Sequence, residues 1–287
     1  RALRDVKMRI GLLTSVPQTL EAFFLPWISR WNEMGLTVFP ASGPGPMTSR
    51  PLRYEEIPGI TQTPRLGIIR GAKHLRQWSE ANRLDVVLTS TATASAASRL
   101  RQLPCPVVYF CHGLHWSAAQ QGSRSYFEFA EKFLLTRASG VISMNSEDRE
   151  WFSAHAPEKP QLFLRYGVGL DLRAWPLTKP NASKESIRLV WVGAMTPRKR
   201  PMDAIAIVED LNKRGMSVKL DMLGDGALFP MVQQKAQGMD GIQLHGQTKV
   251  LPHLQRAHGV LHTAEWEGLP RVLVEAAAVG RPAFGYD

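Results

Sequence analysis

The sequence predicts an α/β protein with two doubly wound parallel sheets, on three observations. Strand-like and helix-like stretches alternate through both halves, the pattern of a parallel sheet flanked by helices. At 287 residues the chain is long enough for two domains of ordinary size, each with its own core. Between the two series, residues 167–185 are rich in Gly, Pro, Asn, Ser and Lys, as an interdomain linker is. The expected domains are residues 1–168 and 186–287, joined by 169–185.

In the first half, Val6 to Leu13 reads as a buried strand followed by a Ser15–Thr19 loop. Leu20, Phe23, Phe24, Trp27, Ile28, Trp31 and Met34 then recur at helical spacing and predict a helix over 19–34. Leu36 to Phe39 is the next strand. Residues 40–65, rich in Pro, Gly, Ser and Thr, are loop with at most one short strand. A basic helix (Leu66 to Arg83) leads to the strand Asp85–Thr89, a small-residue helix (Ala92 to Leu103) and the strand Val107–Phe110. A helix from Phe127 to Arg137 precedes the strand Gly140–Met144.

The second series begins at Ile187, with strands at Leu189–Val192, Val218–Leu223, Ile242–His245, Gly259–His262 and Pro282–Tyr286. Helices are expected at Pro201–Arg214, Leu228–Gln237, Leu251–Ala257 and 270–279. The halves share architecture but no sequence repeat.

A content of 44% hydrophobic and 21% charged residues describes a globular chain rather than a disordered one. There is no apolar run of about 18 residues, so no transmembrane helix is expected. The start leads straight into a strand, which leaves no room for a signal peptide. Two cysteines, Cys105 and Cys111, make neither a disulfide framework nor a four-ligand metal site, so a reducing cytoplasm is the expected location. The net charge is +10, of which residues 1–170 carry +7. Such a half suits an anionic partner such as a membrane surface, a phosphorylated lipid or nucleic acid, although solvated surface charge is the commoner meaning.

The most informative stretch is Glu265-Trp-Glu-Gly-Leu-Pro-Arg-Val-Leu-Val-Glu-Ala-Ala-Ala-Val-Gly-Arg-Pro282. It reads as a loop, a helix with Pro270 at its first position, and a stop at Gly280 and Pro282. Glu267 lies just ahead of the helix and Glu275 in its second turn. Both can look toward helix-start amides, which attract an anion such as a diphosphate. The same spacing also fits an ordinary alanine-rich helix with a polar lead-in. Similarly, Gly193-Ala-Met-Thr-Pro-Arg-Lys-Arg-Pro201 sets a glycine and three cations between a strand and a helix. Cys111-His-Gly-Leu-His-Trp116 lies at the carboxyl end of a strand, where open α/β sheets bind ligands. There His112 and His115 are candidate hydrogen-bond or proton partners, and His115 and Trp116 equally suit packing on the next helix.

The two glutamates seven residues apart, within E-G-L-P-R-V-L-V-E-A-A-A-x-G-R-P, resemble the signature of retaining glycosyltransferases of family 4. That resemblance implies the GT-B fold, two Rossmann-like domains facing a cleft. Residues from Val107 to about Trp175 are similar to the family members that build exopolysaccharide and lipid-linked glycans. The matching pieces are His112–His115, Ser143–Asp148 and Gly167–Asp171. The resemblance gives His112 a place beside the donor sugar at the reaction centre. It gives Glu267 the donor-sugar hydroxyls and Glu275 the ribose hydroxyls. Arg198, Lys199, Gly193 and the helix start at Gly268, Leu269 and Arg271 take the leaving diphosphate. Lys199 matches the family's lysine, while Ala194 stands where the family has arginine. Gly224-Asp225-Gly226 matches a structural turn, and His245-Gly246-Gln247 a segment whose backbone reads the base.

The reading is then a retaining hexosyltransferase that takes a nucleoside-diphosphate sugar, a UDP-sugar by preference. Its acceptor is a glycan or a polyprenyl-diphosphate-linked glycan at the cytoplasmic membrane face. No cofactor, no metal and no nucleic acid are expected: there is no D-x-D motif and no His/Cys cluster at ligand spacing. Full GT-B enzymes continue beyond the last strand, so the resemblance also implies a second domain incomplete at its C-terminus, and a non-catalytic nucleotide-sugar-binding homologue is the alternative. A NAD-dependent oxidoreductase would need G-x-G-x-x-G after the first strand, but Gly11 lies within that strand and 15–19 holds no glycine.

Overall fold

The computed structural model describes residues 8–46, 52–63, 65–114, 121–179, 181–182 and 185–286. The chain forms two compact units, Arg1–Val168 and Gly169–Asp287. The first contains β1 (Arg9–Thr14), α1 (Pro17–Thr19), a π turn (Leu20–Phe24), α2 (Leu25–Glu33), β2 (Thr37–Ser42), β3 (Glu55–Glu56) and α3 (Ile68–Ala81). It continues with β4 (Val86–Ser90), α4 (Ala92–Leu100), β5 (Val107–Phe110), α5 (Gln121–Leu135), β6 (Gly140–Ser143), α6 (Ser146–His155) and β7 (Gln161–Phe163). The seven strands are parallel in the order β3-β2-β1-β4-β5-β6-β7, so the winding reverses between β1 and β4. A Cβ on Gly11, in the middle of β1, would lie 2.6 Å from both Leu84 and Trp78. The glycine is what lets Trp78 of α3 lie against the strand. Leu13, Leu75, Trp78 and Val87 belong to the core on one side of this sheet, and Tyr109, Cys111, Leu135 and Phe152 to a second cluster.

The second unit contains β8 (Ile187–Val192), a 3-10 turn (Pro197–Lys199), α7 (Pro201–Lys213), β9 (Val218–Leu223), α8 (Phe229–Ala236) and β10 (Ile242–Leu244). Then follow α9 (Leu251–Arg256), β11 (Gly259–His262), α10 (Arg271–Ala278) and β12 (Ala283–Gly285). Its five parallel strands run β10-β9-β8-β11-β12, with the reversal between β8 and β11. Trp191 and Met222 pack under α7 and α8, while Val190, Leu223 and Val260 pack under α9 and α10.

Strands Val107–Phe110, Val218–Leu223 and Gly259–His262 run as the residue pattern predicts. The predicted loop Ser15–Thr19 is corrected: the helix already starts at Pro17, which fits a first helical turn. Pro270 is corrected too. It is the residue before the helix, with ψ 114°, and the helix begins at Arg271. Helix α6 and strand β7 have no counterpart in the sequence reading. Asn145 starts α6 by accepting the Asp148 amide at 2.7 Å.

Candidate functional site

Open parallel sheets bind ligands at the carboxyl ends of strands beside the point where the winding reverses. In the first unit that place carries His112. Its Nε2 lies 2.6 Å from the Ser90 hydroxyl at the end of β4. Phe110, Phe23 and Phe24 surround the ring, with centroids 4.5, 5.4 and 6.4 Å away. The π turn, a feature that recurs at functional sites, is what presents Phe23 and Phe24. Burial lowers the imidazole's pKa from 6.5 to about 4, so His112 is neutral near pH 7. It can hold a hydroxyl but cannot act there as an imidazolium acid. Beside it, Thr91 has φ 83°, a strained conformation for a β-branched residue, and its hydroxyl accepts the Ser15 amide at 3.0 Å.

The loop that carries His112 is fixed by Asp148, 2% exposed. Its carboxylate accepts the Leu114 amide at 3.1 Å, the Cys111 thiol at 3.4 Å and the Asn145 side chain at 2.8 Å. Burial first, then the Asp148 charge, push the Cys111 thiol well up, so it stays a protonated donor. The Ser143–Asp148 piece thus caps α6 and holds the 112–114 loop. Ser90, and the hold of Asp148 on the 112–114 loop, could not be read from the sequence because the partners are 22 and 34 residues away. His115 lies outside the described residues.

In the second unit the corresponding place is ionic. Lys199 Nζ pairs with Glu267 Oε1, and Arg198 Nη1 lies 3.1 Å from Glu267 Oε2. Arg198 also donates to the Trp266 carbonyl at 3.0 Å and stacks over the Trp266 ring, 4.7 Å from its centroid. Thr263, 1% exposed, locks the two loops: it accepts the Trp191 indole N–H at 2.9 Å and faces the Lys199 and Arg200 carbonyls at 2.9 Å. The 3-10 turn ends at Arg200, with φ 47°. Gly268 and Leu269 lead into α10, in whose first turn the Leu273 amide donates to the Pro270 carbonyl at 3.1 Å. Glu275, 7% exposed, accepts Arg271 Nε at 2.8 Å. Burial raises its pKa, against the pull of Arg271.

Three loops are stitched beside this charge cluster. The Gly193 amide donates to Leu223 at 3.0 Å, Met195 to Asp225 at 2.8 Å and Gly224 to Gly246 at 2.7 Å. Gly224 has φ 130°, and a Cβ there would collide with the Gly193 carbonyl. The Gly224–Gly226 turn is therefore structural. These loops line a cleft of about 260 Å³ that includes Gly193, Ala194, Asp225, Gln247 and Thr248. The His245 side chain turns away to Asp221, 2.8 Å distant. His262, at the end of β11, was not anticipated. Its Nε2 is buried without a partner among the described residues, and burial with Lys199 nearby lowers its pKa.

The rest of the 265–282 run builds the helix end. The Gly280 amide donates to Ala277 and the Arg281 amide to Ala276, with Gly280 at φ 76°, which is a Schellman ending. The Arg281 guanidinium, 4% exposed overall, donates to carbonyls of Leu254, Thr178, Lys179 and Gln255. Arg281 is therefore a tie between α9, α10 and residues 178–179.

Comparison with known proteins gives two family matches. Residues 28–167 match the family described as "Glycosyl transferase 4-like domain", and residues 186–287 that described as "Glycosyl transferases group 1". The chain is 25% identical over 206 residues to an Escherichia coli UDP-Gal:alpha-D-GlcNAc-diphosphoundecaprenol alpha-1,3-galactosyltransferase. That match covers 66% of this chain and 53% of the relative, so it spans about half of the relative's length. Among solved structures, a sucrose-phosphate synthase from Thermosynechococcus elongatus has a TM-score of 0.75 at 15% identity, covering 97% of this chain and 81% of that one. Anabaena HepE in complex with UDP has a TM-score of 0.70 at 16% identity, covering 96% and 80%. From its two parallel-sheet units to these matches, the chain belongs to the family-4 type of glycosyltransferases, with the GT-B fold.

Proposed function

We propose that this protein transfers a hexose from a nucleoside-diphosphate sugar, a UDP-sugar by preference, to a glycan or lipid-diphosphate-linked acceptor, with retention and without a metal. The observation that carries this reading is the Arg198–Lys199–Glu267 cluster ahead of α10. Two cations held by one carboxylate, just ahead of a helix start, are preorganised for charge that grows on a departing diphosphate. Glu267 then exchanges its cations for donor-sugar hydroxyls, and Glu275 takes the ribose. His112 acts as a neutral hydrogen-bond partner of the sugar, and His262 supplies a further ligand contact through Nε2. Support for the donor comes from HepE, which binds UDP, and from the E. coli relative, which uses UDP-Gal.

That relative also acts on a diphosphoundecaprenol acceptor, which supports a lipid-linked acceptor here. Helix α5 fits the same idea: it exposes Tyr126, Phe127, Phe129 and Phe133, aromatic groups that suit a lipid–water interface. No described helix is long and apolar enough to cross a membrane.

Thermal shifts with UDP, GDP, ADP, CMP and NAD, with and without EDTA, test the reading. UDP alone should stabilise the protein, and EDTA should not alter the shift. Stabilisation by GDP or ADP would replace the donor, and NAD as the sole stabiliser would overturn the transferase reading. Ala194, on the cleft where the family has arginine, favours a second reading, a homologue that binds without turnover. A UDP shift without UDP release from any UDP-hexose in the presence of a polyprenyl-diphosphate glycan would select it.

A further inference from the structure

Apart from the sugar-transfer residues, three side chains from separate elements of the second unit converge. They are Asp221 on β9, His245 just after β10 and His253 on α9, and their ligand-capable atoms all lie within 4.8 Å of one another. Asp221 is 2% exposed; its Oδ1 accepts His245 Nε2 at 2.8 Å and its Oδ2 lies 4.0 Å from His253 Nδ1. The two imidazole centroids are 4.4 Å apart. No linear spacing reveals the trio, which is why the sequence showed no ligand cluster.

We propose that Asp221, His245 and His253 form a binding site for a divalent transition metal, with Zn²⁺ as the best match to the donor set. Two imidazoles and one carboxylate are a three-ligand set that zinc accepts while leaving a fourth position open. Donors around a tetrahedral zinc lie about 3.3 Å apart. The contacts of 2.8 and 4.0 Å bracket that value, so small side-chain adjustments bring both imidazoles and the carboxylate to the ion. His245 has then to carry its proton on Nδ1. The fourth position opens into a polar cavity of about 610 Å³ lined by Asn181, Arg188, Gln243, Gln255 and Arg256.

Arg188 is the built-in competitor. Its Nη1 bonds Asp221 Oδ2 at 2.8 Å, on the oxygen that faces His253. Its side chain is 32% exposed, so it can swing out into the cavity when a metal arrives. There, with Arg256, it is suited to hold an anionic fourth ligand of the ion. A bound ion would pin β9, β10 and α9 together beneath the 245–248 segment. This site is independent of the sugar-transfer reading, which needs no metal.

The test uses protein stripped with EDTA and desalted, then titrated with ZnCl₂ by calorimetry and with CoCl₂ by visible absorption. One zinc per chain and the intense visible bands of low-symmetry four-coordinate Co²⁺ are expected, with a rise in Tm. His253→Gln and Asp221→Asn should each weaken zinc by about 100-fold or more, beyond the 10–100-fold of an outer-shell change. Arg188→Gln should tighten zinc by about tenfold while leaving the stoichiometry at one, and His155→Gln, remote in sequence, should change nothing. If the first two variants fold poorly, Arg188→Gln still decides, because a purely structural Arg188–Asp221 pair predicts a lower Tm with zinc affinity unchanged. Absence of stoichiometric zinc, or an affinity that all the cluster variants leave unchanged, overturns the site.

Discussion

The two units wind their sheets alike, yet the loops at the winding reversal differ in chemistry. In the first unit the reversal is lined by hydroxyls and a neutral imidazole among phenylalanines: Ser90, Thr91, His112, Phe23 and Phe24. In the second it is lined by Arg198, Lys199 and Glu267. At each reversal a loop carries a non-glycine residue at positive φ, Thr91 at φ 83° and Arg200 at φ 47°. The shared part is the scaffold, with one strained residue to aim a loop. The different part is what the loop offers, shape and neutral hydrogen bonds on one side and charge on the other. If this contrast holds, charge removal should damage turnover in the second unit, and in the first unit the sensitive quantity should be the protonation state of one ring.

The largest effect should come from the Arg99–Glu131 ion pair buried in the first unit. Arg99, 1% exposed, holds Glu131 through two contacts of 2.5 and 3.2 Å. Glu131→Leu strands the guanidinium and should cost about 3–5 kcal/mol in urea unfolding, with the UDP shift retained in whatever remains folded. A cost under about 1 kcal/mol would mean that Arg99 finds other acceptors. Next, Lys199→Ala should lower kcat by about 10²–10³ with a much smaller change in Tm, since in the proposed reaction this charge meets the departing diphosphate. An unchanged kcat would remove the second unit's charge from the mechanism.

His112 sharpens the contrast through pH. Its folded pKa of about 4 lies below the ordinary 6.5, so its stabilising contribution is complete above pH 6.5 and is lost as pH falls toward 4. This depression corresponds to roughly 3 kcal/mol of acid sensitivity. His112→Gln should flatten stability over that window, and a wild-type curve already flat between pH 6.5 and 4 would contradict the neutral ring. The smallest effect is at Glu275, whose raised pKa means that its charge is a burden above the ordinary carboxylate range and not below it. Glu275→Gln should leave Tm unchanged or raise it by up to about 1 kcal/mol equivalent, while UDP affinity falls by about tenfold. Equal loss of both would make Glu275 a structural residue.

Legibility in the sequence divides along the same line. Charged loops and helix starts leave local marks, so Lys199, Glu267 and Glu275 could be named from neighbours in the chain. The placement of Ser90 against His112, of Asp148 under the 112–114 loop and of His253 beside Asp221 depends on strand order, and no spacing along the chain encodes it. Strands fully buried in a parallel sheet were legible because they are continuous apolar runs. Helix α6 was not, because Trp151 and Phe152 are too few apolar residues to form a stripe, and its start depends on a single Asn145 cap. Pro270 shows the limit of composition rules, since proline suits both the first helical position and the residue before it.

Arg281 gives α10 the mechanics of a short lever clamped at its far end. An eight-residue helix is about 12 Å long, so a tilt of about 5° at the clamp displaces its start by about 1 Å. That is the scale of misplacement that costs a catalyst about a hundredfold. A change at the buried guanidinium would therefore be read out as lost aim at the opposite end of the helix.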